Sequence, residues 1–446
     1  MVLKFLPKGG KLPMTGRIGV VFFPAFDWSL GEKHPEREER LLYTRDQLLE
    51  EGLLDRSQFL ELSPRIASDT DLLKTHFFVP TIAEQMHPAN RVAIGACLNL
   101  ADSWHKKEIY KGFALVRPPG HHAMQVVHGN RGFCSINNVA VLVDYLRANF
   151  GYKRIAVIDS DVHHGDGTQD IFYHDPEVLF ISFHQDGRTI FPGTGFAHEM
   201  GGPKAFGTTI NIPLPPGTGD EGVRLITEEF ILPIIDDFKP EIIINSAGQD
   251  NHFSDPLGSL RLTSRGYGDF TKSINPDLVL LEGGYAIETA LPYVNMSVLL
   301  ALASEEYRDI KEPGYSKALD RDSKTVLEQI KETLYKLKAN LKNPSQVKSD
   351  FTKQRGSWVR NKNIFYDTEY FFERQKEVLH DCPNCSGILE IISEAQHGNG
   401  KLYPLHGFTL FPSTCSFCRT KAKQWYEEKN KRNMIPSSVQ LINKEW

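Results

Sequence analysis

Short apolar runs, each followed by polar or glycine-rich residues, recur through the middle of the chain. Their continuous Ile, Val, Leu and Phe content is typical of strands that are buried on both faces of a parallel sheet. Helical patterns at residues 138–149 and 221–238 lie between several of them. This alternation predicts an α/β fold with a central, mostly parallel sheet flanked by helices. The runs are residues 113–116, 155–158, 178–181, 242–244 and 278–281.

Polar clusters stand at the carboxyl ends of these predicted strands. Ligands of parallel sheets bind beyond the carboxyl ends of the strands, so the clusters should meet at one edge. The richest cluster, residues 159–167 (DSDVHHGDG), closes the run 155–158. Its density of acids and histidines favours a functional site over a polar turn with capping Asp and Gly residues. The other clusters are residues 117–122, 182–184, 245–250 and 282–285.

Three side chains of these clusters are candidate metal ligands. Asp161 and His163 are two residues apart, so in extended chain their side chains point the same way. A carboxylate and an imidazole are the first ligands of a catalytic zinc, and Asp250 at another strand end can supply the third. Such an ion polarises a carbonyl and lowers the pKa of a bound water toward ~7.

Proton transfer needs further groups, and the same clusters contain them. His121 and His122 follow a Pro-Pro-Gly turn and offer an acid and a base side by side, although adjacent histidines also occur in solvated turns. Asp159 and Asp166 are suited to orienting these imidazoles by accepting a ring N–H. Tyr285, after two glycines, can donate to an oxyanion, or it can simply close a helix start.

Two phenylalanines beside glycines are candidates for the wall of a narrow apolar channel. Phe133 lies in the stretch 132–134 (GFC) and Phe191 in the stretch 191–193 (FPG). Aromatic residues next to glycine also serve plain packing, so their joint occurrence with the polar clusters is what favours the channel.

The C-terminal part of the chain differs from the middle in its composition and in its pattern of hydrophobic and polar residues. Residues 324–341 predict a charged amphipathic helix, and the sequence divides into a catalytic domain (residues 1–342), a polar linker (343–376) and a small C-terminal domain (377–446). Two C-x-x-C pairs predict a structural zinc in a ribbon with short strands at 388–392 and 407–411 and a helix at 420–430. Redox pairs or accidental spacing are the alternatives. The four cysteines are Cys382, Cys385, Cys415 and Cys418.

The length of 446 residues exceeds the ~250 to 300 residues of a single core, which agrees with more than one domain. A net charge of -5 gives no general attraction to nucleic acid or to an anionic membrane. No apolar run approaches the ~20 residues of a spanning helix, and residues 1–15 show no apolar core of a secretory signal. We therefore expect a cytoplasmic protein without a membrane partner.

Six motifs follow one another along the chain: residues 117–123 (RPPGHHA), 131–137 (RGFCSIN), 159–167, 191–195 (FPGTG), 246–258 and 281–285 (LEGGY). In this order they resemble the motifs of the zinc-dependent histone deacetylase family, nearer its class II and bacterial amidohydrolase members. The resemblance implies the arginase/deacetylase fold, with zinc on Asp161, His163 and Asp250. It also implies a structural potassium ion held by Asp159, by Ser182 and by the backbone of the zinc-binding loop.

The same resemblance assigns roles. It makes His122 the base that activates water and His121 its partner, with Asp159 paired to His121 and Asp166 to His122. Tyr285 would stabilise the oxyanion. The Gly132 carbonyl would accept the substrate amide N–H, and Phe133 and Phe191 would flank the tunnel.

The sequence does not determine which acylated amine is the substrate. The acid that grips a peptide backbone in many family members has no clear counterpart between Phe77 and Ala93. An acylated lysine peptide and an acylated polyamine are both expected substrates. Two other readings are an arginase-like enzyme with two manganese ions and a catalytically silent module whose ribbon recruits a partner. The sequence gives neither that partner nor the oligomeric state, a homo-oligomer included.

Overall fold

The computed structural model describes residues 16–432 and 438–444, so the segment 1–15 that was searched for a signal lies outside the described residues. An eight-stranded sheet forms its centre, in the order β2-β1-β4-β10-β9-β6-β7-β8, and every neighbouring pair is parallel. The strands are β1 (Ile18–Phe23), β2 (Phe59–Leu62), β4 (Lys111–Val116), β6 (Ile155–Asp159), β7 (Val178–Gln185), β8 (Thr209–Leu214), β9 (Ile242–Ala247) and β10 (Leu278–Leu281). A small parallel pair joins β3 (Phe77–Phe78) to β5 (Val126–Val127).

Helices cover both faces of the central sheet. Along β6, Ala156 and Ile158 pack into one hydrophobic core while Ile155 and Val157 pack into the other. The continuous apolar run therefore serves two faces, which confirms the predicted parallel α/β architecture. The helices of this part of the chain are α1 (Leu42–Glu50), α2 (Asp69–Leu72), α3 (Ile82–Gln85), α4 (Pro88–His105), α5 (Asn138–Phe150), α6 (Asp166–Phe172), α7 (Asp220–Ile226), α8 (Leu232–Phe238), α9 (Ser264–Ile274), α10 (Leu291–Leu302) and α11 (Lys324–Lys342). A further helix, α12 (Ser416–Arg432), packs on strands near the C-terminus instead.

Shorter helical segments of the π and 3-10 types also occur along the chain. The predicted helix over residues 221–238 is observed as α7 and α8 joined by a π-helical turn, Thr227–Ile231. Turns of 3-10 helix span Glu38–Leu41, Lys317–Leu319 and Pro344–Gln346. Within the described ranges, no helix has the length and apolar character that crossing a membrane requires.

The C-terminal part of the chain contains a second sheet of six strands, here called the C-terminal sheet. Its strands follow one another in chain order and pair antiparallel, except that β15 and β16 are parallel. It is larger than the small ribbon that the sequence predicts, while α12 covers the predicted helix. The strands are β11 (Thr352–Gln354), β12 (Ser357–Tyr366), β13 (Phe371–Cys382), β14 (Cys385–Gln396), β15 (Leu402–Leu410) and β16 (Val439–Asn443).

The segment 343–376 is therefore not the linker that its polar composition indicates, because β11, β12 and half of β13 lie in it. Two of its charged residues, Arg360 and Glu373, are buried with partners. Arg360 of β12 forms an ion pair of 2.7 Å with buried Glu377, the next residue of β13 after this segment. Glu373 is also buried and accepts a hydrogen bond of 2.7 Å from Ser393. A pattern that assigns charged residues to the surface cannot recognise such strands.

The C-terminal sheet packs directly on the first domain. Phe77 and Val126 of the small parallel pair share one hydrophobic core with Leu389, Leu405 and Phe411. Polar contacts reinforce this interface. The Gln440 side chain donates to the Phe78 carbonyl at 2.8 Å, and buried Lys444 pairs with Asp144 at 2.8 Å.

Candidate active site

The three predicted metal ligands converge at the carboxyl edge of the central sheet. Asp161 and His163 follow β6, and Asp250 follows the neighbouring strand β9. Their ligand atoms all lie within 4.8 Å of one another. The His163 Nδ1 atom is 3.1 Å from Asp161 Oδ1 and 3.3 Å from Asp250 Oδ2. Two carboxylates and one imidazole thus face a single point.

The hydrogen bonds of this group leave room for a cation. Asp250 Oδ1 accepts the Val162 N–H at 2.9 Å, but the buried Oδ2 accepts no hydrogen bond from the described residues. Burial opposes a charge on His163, yet Asp161 and Asp250 outweigh it and raise the pKa of His163 to about 10. A site that favours extra positive charge and offers O, N and O donors fits a catalytic zinc.

Glycines allow the ligand loops to approach each other. A Cβ atom at Gly248 would collide with the Asp161 carboxylate, and one at Gly283 would collide with that of Asp250. The Gly283 N–H also donates to Asp161 Oδ2 at 2.8 Å. Glycine is therefore required at both positions by close approach.

The histidine pair lies beside these ligands, and each ring contacts a carboxylate. His121 Nδ1 is 3.1 Å from Asp159 Oδ2, and His122 Nδ1 is 2.8 Å from Asp166 Oδ1. The ring centroids of His122 and His163 are 5.9 Å apart. Buried Glu282 accepts the backbone N–H of His121 at 3.1 Å and so fixes the turn that carries both rings.

The two imidazoles differ in protonation. Burial opposes a charge on His121, but the carboxylates of Asp161 and Asp159 outweigh it and raise the pKa of His121 well above its usual value. Burial, together with the positive charge on His121 and Arg131, lowers the pKa of His122 well below its usual value. Adjacent residues are thus driven in opposite directions by their surroundings.

Arg131 belongs to the site although its role was not recognised from the sequence. Its Nη1 atom is 2.7 Å from Asp166 Oδ2, on the side of the carboxylate away from His122. Its guanidinium carbon lies 5.1 Å from the ring centroid of Phe191. A lone arginine before a glycine carries no spacing signal, and only its place in the stretch 131–137 singled it out.

Tyr285 is held by contacts from distant parts of the chain. Asp255 Oδ2 accepts the N–H groups of Tyr285 at 2.6 Å and Ala286 at 3.0 Å. Arg40 lies 4.9 Å from the ring centroid of Tyr285 and donates to the Gly284 carbonyl at 2.7 Å. Burial raises the pKa of Tyr285 well above its usual value, so the phenol keeps its proton.

A buried charge network supports this turn. Glu36 pairs with Arg40 at 2.8 Å and with Arg117 at 2.8 Å, and all three side chains are fully buried. Glu36 and Arg40 come from the sequence 34–40 (HPEREER), to which the sequence analysis assigns no role.

The predicted channel residues also lie here. Phe191 contacts the His122 ring edge-to-face at a centroid distance of 5.1 Å, and Phe133 contacts the Tyr285 ring at 5.5 Å. Gly132 packs so closely on His122 that a Cβ atom would collide with the imidazole. Two aromatic rings thus stand over the base candidate and the phenol.

The residues expected to hold potassium are neighbours across the sheet. Asp159 of β6 and Ser182 of β7 are register partners. Asp159 Oδ1 accepts the Asp161 N–H at 3.2 Å, and Ser182 Oγ lies 2.8 Å from His184 Nδ1. Potassium binding at this position stays a prediction.

A second cluster gathers the four C-terminal cysteines, whose sulfur atoms lie within 4.8 Å of one another. Cys382 ends β13, Cys385 begins β14, and Cys415 and Cys418 flank the start of α12. None of the four forms a disulfide. The backbone N–H of Cys418 lowers the pKa of Cys415 to about 7, whereas burial raises the pKa of Cys385 and that of Cys418. This donor set fits a closed four-thiolate zinc site, as in a zinc ribbon.

Comparison with known proteins agrees with this geometry. The histone deacetylase domain model matches residues 78–302. A probable deacetylase of Archaeoglobus fulgidus is 42% identical over 351 residues, covering 72% of this chain and 94% of the relative. A histone deacetylase-like amidohydrolase of Pseudomonas aeruginosa is 31% identical over 297 residues, covering 60% of this chain and 76% of the relative.

A solved structure and a plant relative extend the comparison. The crystal structure of the HDA15 HD domain superposes with a TM-score of 0.63 at 29% identity, covering 75% of this chain and all of that one. The chloroplastic histone deacetylase 14 of Arabidopsis thaliana is 42% identical over 245 residues, covering 52% of this chain and 57% of the relative.

The fold and the site define a metal-dependent amide hydrolase. The chain belongs to the histone deacetylase family, and it is a zinc-dependent deacetylase. This excludes the silent module. Against the arginase-like reading, Asp159 and Asp166 are each engaged by a histidine, so the described residues gather one metal-ligand group at this edge.

Proposed function

We propose that this site hydrolyses the amide of an acylated primary amine, with His122 as the base, Tyr285 as the oxyanion donor and Asp161, His163 and Asp250 as the zinc ligands. The observation that carries the proposal is the convergence of these five side chains at one sheet edge. Zinc bound there would supply a Lewis acid that polarises the acyl carbonyl and acidifies the attacking water.

The proton steps belong to the histidine pair. His122 is neutral and accepts a proton from the attacking water through Nε2, because its Nδ1 faces Asp166 at 2.8 Å. Asp166 stabilises the imidazolium that results, and Arg131 holds Asp166 in place at 2.7 Å. The leaving amine then takes a proton from this pair of histidines.

Charge that develops on the acyl oxygen is met by Tyr285. The phenol is protonated and buried, and the paired N–H bonds to Asp255 fix its backbone. A preorganised donor in a dry site stabilises the transition state more than the ground state. The Gly132 carbonyl accepts the substrate amide N–H, which aligns the scissile bond.

A substrate panel tests this function. Both substrate classes present a thin acyl-amine chain to the channel, so we expect the purified enzyme to release the acyl group from an acyl-lysine peptide or from an acylpolyamine. Incubation with a chelator should abolish the release. The released carboxylate is measured for both classes at equal concentration. Failure to cleave any acylated primary amine while zinc is bound would overturn the proposal.

A metal count tests the two sites separately. We propose one catalytic and one structural zinc per chain, and expect Asp250→Ala or Cys385→Ser each to lower two zinc ions per chain to one. Elemental analysis of the purified variants measures the ratio. A wild-type protein with one zinc, or with two manganese ions at Asp161, would contradict this proposal.

Other parts of the proposal follow from the same residues. We propose potassium at Asp159 and Ser182, which are register partners on the neighbouring strands β6 and β7. We also propose a cytoplasmic location, because a reducing compartment keeps the four clustered cysteines available as thiolates.

A further inference from the structure

The C-terminal sheet reaches the active site through the hairpin that joins β12 to β13. Asp367 Oδ1, in this hairpin, accepts the N–H of Gly132 at 2.8 Å. The carbonyl of Phe365 accepts the Nε–H of Arg131 at 2.9 Å. The deacetylase domain match ends at residue 302, so this hairpin lies outside the part of the chain that the family model covers.

The segment that the hairpin holds is a tight turn. Arg131 and Cys134 exchange both of their backbone hydrogen bonds at 2.9 Å, so Gly132 and Phe133 are the two central residues. Their φ angles are +53° and +69°. Glycine adopts positive φ angles freely, but for a bulky residue such as Phe133 this conformation is unfavourable and persists only where the surrounding structure holds it. Asp367 supplies one such constraint.

This turn contacts two members of the proposed catalytic set. Gly132 packs against the His122 ring without space for a Cβ atom, and the Phe133 ring meets Tyr285 edge-to-face at 5.5 Å. A small displacement of the turn therefore changes the place of the Gly132 carbonyl and the packing around both rings.

Arg131 carries a second connection from the C-terminal sheet. One side of its guanidinium binds the Phe365 carbonyl and the other binds Asp166, which faces His122. A cavity of about 510 Å³ is lined by Asp166, by Phe191 and, from β12, by Phe365. The C-terminal sheet thus forms one wall of the space next to this carboxylate.

We propose that the C-terminal sheet is part of the catalytic machinery and that Asp367 is a positioning residue, which holds the turn of Gly132 and Phe133 in the conformation needed for turnover. The proposal rests on the function proposed above, in which the Gly132 carbonyl and His122 act on the acylated amine. It assigns to the C-terminal sheet a task in the reaction itself, beyond carrying a structural metal.

Three variants of the full-length enzyme test this role. Asp367→Ala removes the acceptor, Asp367→Asn keeps an acceptor oxygen without the charge, and Thr368→Ala is the matched control. Thr368 lies in the same hairpin, and its hydroxyl donates to the Asn130 side chain at 2.9 Å. Thr368→Ala therefore removes one hydrogen bond between the hairpin and the first domain but leaves the hydrogen bond of Gly132 in place. We measure kcat and KM, zinc content, and amide hydrogen exchange over residues 129–136.

Asp367→Ala should lower kcat about tenfold, with KM changed less than about twofold, since misplaced reacting groups cost rate rather than binding. Its Gly132 amide should exchange faster, because the N–H loses its acceptor. Asp367→Asn should restore kcat to within about twofold of wild type, since the amide oxygen can accept the same bond. Thr368→Ala should have the wild-type kcat and the wild-type exchange rate at Gly132.

Two results would overturn the proposal. One is an Asp367→Ala enzyme with unchanged kcat, whether or not the exchange of its Gly132 amide changes. The other is an Asp367→Asn enzyme with raised KM and normal kcat, which would make Asp367 a charge that attracts cationic substrates. Hydrogen exchange needs no turnover, so a wild-type enzyme that cleaves no acylated amine would defeat the proposed function while the exchange data still judge the positioning of the turn.

Discussion

His122→Ala should reduce turnover by ~10²- to 10⁴-fold, the loss typical of a removed general base. The physical reason is that burial and the positive charge on His121 and Arg131 lower the pKa of His122, whereas His121 is engaged by Asp159 and its pKa is raised. Steady-state kinetics on an acyl-lysine peptide or acylpolyamine measure the change. Zinc content should stay at the wild-type level because His122 is not among the three ligands.

Asp166→Asn is the companion variant for this prediction. It keeps the size of the side chain but removes the charge that stabilises the His122 imidazolium, and it weakens the contact with Arg131. We expect a smaller loss than for His122→Ala, because the base itself remains. Near-normal turnover of His122→Ala would reject the assignment, and the base would have to be sought in His121.

The sequence predicts those parts of the molecule in which short-range pattern and local chemistry agree. The run 155–158 indicates a strand buried on both faces, and β6 indeed divides its side chains between two cores. The spacing of Asp161 and His163 places both beyond one strand. Because parallel strands end at the same edge, Asp250 could be expected beside them although it is far away in sequence.

Contacts that depend on distant segments could not be predicted in this way. Arg40 reaches the Gly284 carbonyl across 244 positions of sequence, and Asp367 reaches Gly132 across 235. Neither partner carries a periodic signal, since a single arginine or aspartate is compatible with any exposed loop. A structure is needed before such residues can be assigned to a site.

The strands β12 and β13 were missed for a different physical reason. Alternation along β13 is regular, but the inward positions are occupied by Phe371, Glu373, Gln375 and Glu377, three of which are polar. Burial of these groups is possible because each finds a partner, as Glu377 does in Arg360 and Lys362. Hydrophobicity alone predicts that this polar stretch is exposed to solvent, and it was therefore predicted to be a linker.

Tyr285→Phe should lower kcat by ~10²- to 10³-fold, about 3 to 4 kcal/mol, while KM changes little. The phenol is proposed to donate to an oxyanion that exists only near the transition state, so its loss affects the rate far more than substrate binding. The ring remains, which preserves the edge-to-face contact with Phe133 and the position of Arg40 over the ring. Single-turnover kinetics separate the chemical step from binding.

Tyr307→Phe is the matched control, because it makes the same chemical change at a buried tyrosine outside the site. Its hydroxyl donates to the Asp269 carboxylate at 2.6 Å, so the variant should lose about 1.5 to 3 kcal/mol of stability but keep its turnover. Both variants should retain wild-type zinc content. If Tyr285→Phe hydrolyses the substrate with the wild-type rate constant, Tyr285 only packs against Phe133 and Arg40, and stabilisation of the acyl oxygen then falls to the zinc site alone.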